Sequence, residues 1–174
     1  MTDPRYPIGP FVSLDRPLTS AERGACMDTI EQHPRRMRAA VAGLDDGQLD
    51  TPYREGGWSV RQVVHHVVDS HVNSYCRFKL IATEDTPTIR TYDQDAWAAL
   101  PDSREPVEMS LAILDSVHAR WCVFLRAMEP DYFLRMFDHP EVGEMTCDAL
   151  LELYAWHCGH HEGHVTGLRA REGW

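Results

Sequence analysis

Ten histidines occur in this 174-residue chain, and seven of them fall in two short stretches, at 65, 66 and 71 and at 157, 160, 161 and 164. In a helix turning about 100° per residue, His157 and His161 differ by about 40°, one turn apart on one face. That spacing lets two imidazole nitrogens converge on one divalent ion at about 2.0–2.1 Å. His160 and His164 repeat the spacing, displaced to one side. A single histidine on an apolar helix face is ordinarily a hydrogen-bonded core residue. Here the stripe Leu150, Leu153, Tyr154, His157, His161, His164, Leu168 carries three, and burying several unpaired imidazoles is costly. The pattern favours a metal site over a face of structural or solvent-exposed histidines. It is not the H-E-x-x-H of zinc proteases: Glu162 follows His161, but His164 comes one residue too early, so that glutamate is not assigned as a base.

A further ligand must come from the earlier stretch, His65, His66 and His71. The apolar stripe Val60, Val63, Val64, Val67, Phe78 includes His71 and leaves His66 roughly 120° from its centre. Periodicity alone selects His71.

Four long helical segments would position these residues. The first 18 residues carry Pro4, Pro7, Pro10 and Pro17 and predict an extended arm wrapping the surface. A T-x-x-E capping box at Thr19–Glu22 opens a first helix to about Leu44, with Pro34 kinking or dividing it. Residues 50–57 read as loop. A second box, Ser59 with Gln62, opens a helix to about Thr83. Pro87 and Pro101 bracket a long connection holding a short helix near 93–100. A third long helix spans about 107–128 and the last about 146–171. No strand ladder is expected. The reading is one all-α domain over residues 1–174, a four-helix bundle with a long crossover between helices 2 and 3.

Composition narrows the function. With 17 basic against 27 acidic residues the formal charge is −10, which repels nucleic-acid phosphates and anionic lipid. No apolar run approaches a membrane span, and the N-terminal residues lack a signal-peptide core, so the expectation is a cytoplasmic protein. The five cysteines form no C-x-x-C pair and read as free thiols. Cys158 points about 100° away from His157 and is a poor ligand.

With these residues in place, the chain resembles the DinB/YfiT-like superfamily, most closely its YfiT-type metal-dependent hydrolases. The resemblance runs nearly end to end. It includes Tyr6-Pro7-Ile8-Gly9, Asp50-Thr51-Pro52-Tyr53-Arg54, Gly56-Gly57-Trp58-Ser59-Val60-Arg61-Gln62-Val63-Val64-His65-His66 and Asp69-Ser70-His71. It continues through Arg77-Phe78-Lys79-Leu80, Tyr92-Asp93, Ala96-Trp97, Arg120-Trp121, His139-Pro140, Leu153-Tyr154 and Trp156-His157. The resemblance implies an up-up-down-down four-helix bundle, commonly a homodimer, with a three-histidine metal site. One family ligand lies eight residues after the helix 2 tryptophan, here His66; the other two form the pair His157 and His161. This choice replaces His71. Gly163 before His164 fits the family pattern, whereas Gly159, also inside the last helix, does not obviously do so.

Three histidines would leave one zinc ion, or alternatively nickel, a position for water or a small-molecule substrate. Bound water with a pKa near ~7 and a polarised carbonyl make ester or amide hydrolysis reasonable. No general base stands out. Asp69 would orient His66 or hold a water, or be a plain surface carboxylate; His164 and His65 would support the ligands or simply pack. The rival enzyme reading is thiol transfer, since some members of the superfamily are S-transferases using bacillithiol or mycothiol. A third reading is a non-catalytic, dimeric metal-binding module. Tyr53, Arg54 and Trp58 are expected to border the site, where Arg54 would hold an anionic substrate or, the commoner fate, bridge to one of the many acidic residues. Trp97, Trp121 and Trp156 are expected in the core or a dimer interface.

Overall fold

The computed structural model describes residues 3–174. Four long helices dominate, α1 (Ser20–Val41), α3 (Val60–Thr83), α5 (Val107–Arg126) and α6 (Cys147–Glu172), with short helices α2 (Asp46–Leu49) and α4 (Gln94–Ala98) between them. Three of the long helices begin at side-chain caps. Thr19 accepts from the Glu22 amide while Glu22 accepts from the Thr19 amide, and Ser59 and Gln62 do the same. Thr146 caps α6 through the Ala149 amide, and Gly173, at φ +76°, closes it in the left-handed conformation. Between the first helix and the loop expected at 50–57 lies α2, opened by a reciprocal cap between Asp45 and Gln48. Four residues are too few for a periodic signal.

Pro34 neither divides nor ends α1, which is one helix through Val41. Its cost is the missing N–H, which leaves the Ile30 carbonyl without its usual helical donor. The expected arm is present from residue 3 to Leu18, with neither helix nor strand; Met1 and Thr2 lie outside the described residues.

Cross-helix contacts fix the topology. α1 runs antiparallel to α5 (Ile30 with His118, Met27 with Cys122) and parallel to α6 (Arg23 with Asp148, His33 with Glu162). α3 runs parallel to α5 (His65 with Ser110, His71 with His118) and antiparallel to α6 (Arg77 with Tyr154, His66 beside His161). In chain order the four-helix bundle is therefore up-down-down-up, which corrects the up-up-down-down order. The crossover at 84–106 is long because α3 and α5 point the same way, so the chain must return the length of the bundle.

A second correction is a small hairpin, β1 (Met136–His139) with antiparallel β2 (Gly143–Thr146). Only Phe137 of β1 is buried, so its alternation is too short to stand out in sequence.

The apolar core has two lobes. One gathers Phe78, Trp121, Phe137, Leu150 and Leu151 near the hairpin; the other gathers Met37, Val60, Val64, Leu111 and Val165 near the opposite end. Within the bundle, the rings of His33, His71 and His118 are buried and pack against one another.

Candidate metal centre

Two helices present the candidate ligands. His66 leaves α3 beneath Trp58, their ring centroids 4.5 Å apart. Trp58 is itself held by donating to Asp95 at 3.1 Å, which ties the start of α3 to the crossover. His157 and His161 project from successive turns of α6, and their Nε2 atoms lie 3.1 Å apart. One ring nitrogen from each of His66, His157 and His161 lies within 4.8 Å of the others.

Burial keeps these rings neutral. It drives His157 and His161 well below the usual imidazole value, and His66 down to about 4 with help from nearby His160 and His164. Neutral imidazole is the form that binds metal. Two nitrogens on a tetrahedral ion, each about 2.0–2.1 Å away, stand about 3.3 Å apart, close to the separation found here. The residues present fit a divalent transition metal.

His71 lies directly behind His157 and outside this trio. Its Nε2 meets His157 Nδ1 at 3.0 Å and its Nδ1 meets His118 Nε2 at 2.7 Å, so both ring nitrogens are engaged. The periodicity that selected His71 marked a buried position correctly. A helix enclosed by neighbours buries more than one face: His66 lies beside both His157 and His161 of α6, whereas His71 reaches only the back of His157.

The remaining candidates separate by what they touch. His164 Nδ1 lies 3.3 Å from His161 Nδ1, its Nε2 lies 3.4 Å from the Arg5 carbonyl, and its ring stacks on Tyr53. His65 serves the fold, joining Ser110 Oγ at 2.7 Å and the Glu105 carbonyl at 2.9 Å. Asp69 is half-buried and its carboxyl is pushed up to about 6, by burial and then by Asp102, but it lines neither cavity described below. Trp121 is wholly buried, Trp97 partly exposed, and Trp156 stacks on His160.

Two other clusters have metal-like spacing, His33–His71–Cys158 and His160–His161–His164. The first is the poorer donor set: His71 has no free nitrogen, and burial holds the Cys158 thiol well above its ordinary pKa, against the thiolate a metal needs. The second shares His161 with the main trio.

Two cavities meet at the ligands. One of about 450 Å³ is walled by Tyr53, Arg54, Trp58, Gln94 and Asp95. Another of about 390 Å³ is walled by Ser70, Arg77, Tyr92 and Tyr154. Both include His66, His157 and Gln94.

The arm explains two of the three glycines of α6, Gly159 and Gly163. A Cβ on Gly163 would come within 2.8 Å of Pro7, and one on Gly159 within 3.2 Å of Ile8. Trp156 Nε1 donates to the Gly9 carbonyl at 3.1 Å, pinning the same segment. Sequence reading missed His118, Gln94 and Asp95. A lone histidine and two polar residues in a connection carry no pattern until the fold brings them to the site.

The comparisons agree with this architecture. A protein of Bacillus cereus (strain 03BB102) named "Putative metal-dependent hydrolase" is 51% identical over 174 residues, covering 100% of both chains. A Bacillus anthracis (strain CDC 684 / NRRL 3495) protein of the same name matches at the same identity and coverage. The solved structure of YfiT from Bacillus subtilis, described as "a probable metal-dependent hydrolase with an unusual four-helix bundle topology", superposes with a TM-score of 0.96 at 44% identity over 99% of each chain. The model of the DinB superfamily matches residues 29–165. The chain belongs to the DinB superfamily.

Proposed function

We propose that this protein is a metal-dependent hydrolase that holds one divalent transition metal, zinc or nickel, on His66, His157 and His161. The observation carrying this reading is the approach of three neutral ring nitrogens to within 4.8 Å of one another where two cavities meet. The names of the B. cereus, B. anthracis and B. subtilis relatives point the same way. When bound, such an ion supplies Lewis acidity for a substrate carbonyl and for water.

The residues around it bind and orient. Arg54 has no carboxylate partner among the described residues; it donates to Tyr53 Oη and to the Glu55 carbonyl. A guanidinium in a cavity wall of a chain this acidic suits a substrate with an anionic group. Trp58 and Tyr53 supply apolar walls, and Asp95, fixed by Trp58, closes the side towards α4.

Metal analysis of untagged protein, followed by assay of the loaded enzyme on an ester and amide panel, tests the proposal. One equivalent of metal and turnover lost in His66→Ala and His161→Ala support it; turnover unchanged without metal defeats it. A second reading, thiol S-transfer, is favoured by one feature: two cavities share His66 and His157, which leaves room for a thiol and an electrophile on either side. Conjugation of a low-molecular-weight thiol with no hydrolysis would select it.

A further inference from the structure

Hydrogen-bond polarity extends the metal reading. The Ile30 carbonyl can only accept, and Pro34, four residues on, has no N–H to offer it. His118 Nδ1 lies 2.6 Å from that oxygen, so Nδ1 carries the proton and, in a neutral ring, Nε2 is bare. His71 Nδ1, 2.7 Å away, must then donate to that nitrogen, which leaves its own Nε2 bare. His157 Nδ1 in turn donates to His71 Nε2 across 3.0 Å. One lone pair remains, on His157 Nε2, and it faces His161 and the cavities.

The other ligand gives the same result independently. The Arg5 carbonyl can only accept, so His164 donates to it through Nε2 and accepts from His161 Nδ1, leaving His161 Nε2 bare. Two lone pairs thus face each other across 3.1 Å with no proton assigned between them. Such a pair repels unless a cation shares it. Burial supports the neutral forms assumed here, holding His71 well below the usual imidazole range and His118 down to about 3.

Resting on the proposed metal site, we propose that His118 and His71 are positioning residues: anchored on the Ile30 carbonyl that Pro34 leaves free, they lock His157 in its Nδ1–H tautomer and aim its Nε2 lone pair at the metal. No ring gains or loses a proton in this role. An imidazole without such a partner favours the Nε2–H form in water and must change tautomer before it can bind through Nε2. Partners behind a metal ligand commonly matter by about 10–100-fold in affinity.

The test reads tautomers first. In metal-free protein labelled with ¹⁵N-histidine, long-range ¹H–¹⁵N correlation should find His118, His71 and His157 all protonated on Nδ1; an Nε2–H His157 overturns the proposal. Zinc affinity by chelator competition should then fall about 10–100-fold in His118→Phe. It should recover in part in His118→Gln, whose amide offers both a donor and an acceptor. Equal affinity in native and folded His118→Phe protein also overturns it. If His118→Phe does not fold, the native tautomers decide. The two readings fail separately. Nδ1–H rings in a protein that binds no metal uphold the lock and defeat the metal site, whereas tight zinc with an Nε2–H His157 in the metal-free protein defeats only the lock.

Discussion

Pro7 of the N-terminal arm lies against Gly163 of α6 so closely that a Cβ there would stand 2.8 Å and 2.9 Å from its ring carbons. Glycine inside a helix costs about 1 kcal/mol relative to alanine, so its presence on α6 reflects that close approach. Gly163→Ala should give back that helix stability while pushing the arm outwards. The Arg5 carbonyl, which receives His164, moves with the arm. The expected outcome is faster tryptic cleavage in the arm and a few-fold weaker zinc binding with a helical signal unchanged. Arm cleavage at the native rate would show that the arm absorbs the methyl without moving.

Metal loss should be graded by position. His66→Ala or His161→Ala removes a proposed ligand and should abolish stoichiometric zinc. His71→Ala removes only the partner behind His157 and should weaken binding by about 10–100-fold while leaving a detectable site. Elemental analysis and chelator competition on the three variants check this order. Retained metal in His66→Ala with complete loss in His71→Ala would return the choice to the residue that periodicity selected.

Sequence carried the bundle and the α6 pair because both are local. Thr19, Ser59 and Thr146 announce helix starts within four residues, and His157 and His161 share a face by spacing alone. Choosing His66 over His71 was not local. Both are buried, and only the packing of α6 against α3 puts His66 beside both members of the pair and His71 behind His157 alone. His118 was invisible for the same reason, since its partner on α1 is a main-chain oxygen 88 residues away. The directions of α3 and α6 relative to α1 escaped as well, because the length of a connection permits either return and only the cross-helix contacts decide.

Acid should unfold the metal-free protein through these rings. An unfolded histidine titrates near ~6.5. In the fold, burial lowers His66, His160 and His164 to about 4 and His118 to about 3. Between these values the unfolded state binds more protons, so stability is full above about pH 6.5 and falls as pH drops towards 4. Urea midpoints should therefore decline steeply from pH 7 to pH 5, and the decline should be shallower in His118→Phe if that variant folds. Bound zinc should hold the midpoint up until protons displace it. A flat profile over this range would mean that these histidines are solvated and not buried.

Arg54 should sort substrates by charge. Its guanidinium lines the cavity beside the ligands, with hydrogen bonds to Tyr53 Oη at 3.3 Å and the Glu55 carbonyl at 2.9 Å but no carboxylate partner among the described residues. A charged hydrogen bond to a substrate anion contributes about 1.5–3 kcal/mol, and solvent access to a half-buried arginine places the effect near the lower end. Arg54→Ala should then lower kcat/KM for an ester carrying a carboxylate by about tenfold and leave a neutral ester of the same alcohol nearly unchanged. Arg54→Lys should recover only part of the loss, because an ammonium keeps the charge without the two-pronged geometry. Steady-state kinetics on the matched pair of esters gives the answer. Equal losses on both would reassign Arg54 to holding the loop before α3, where its bonds to Tyr53 and Glu55 already place it.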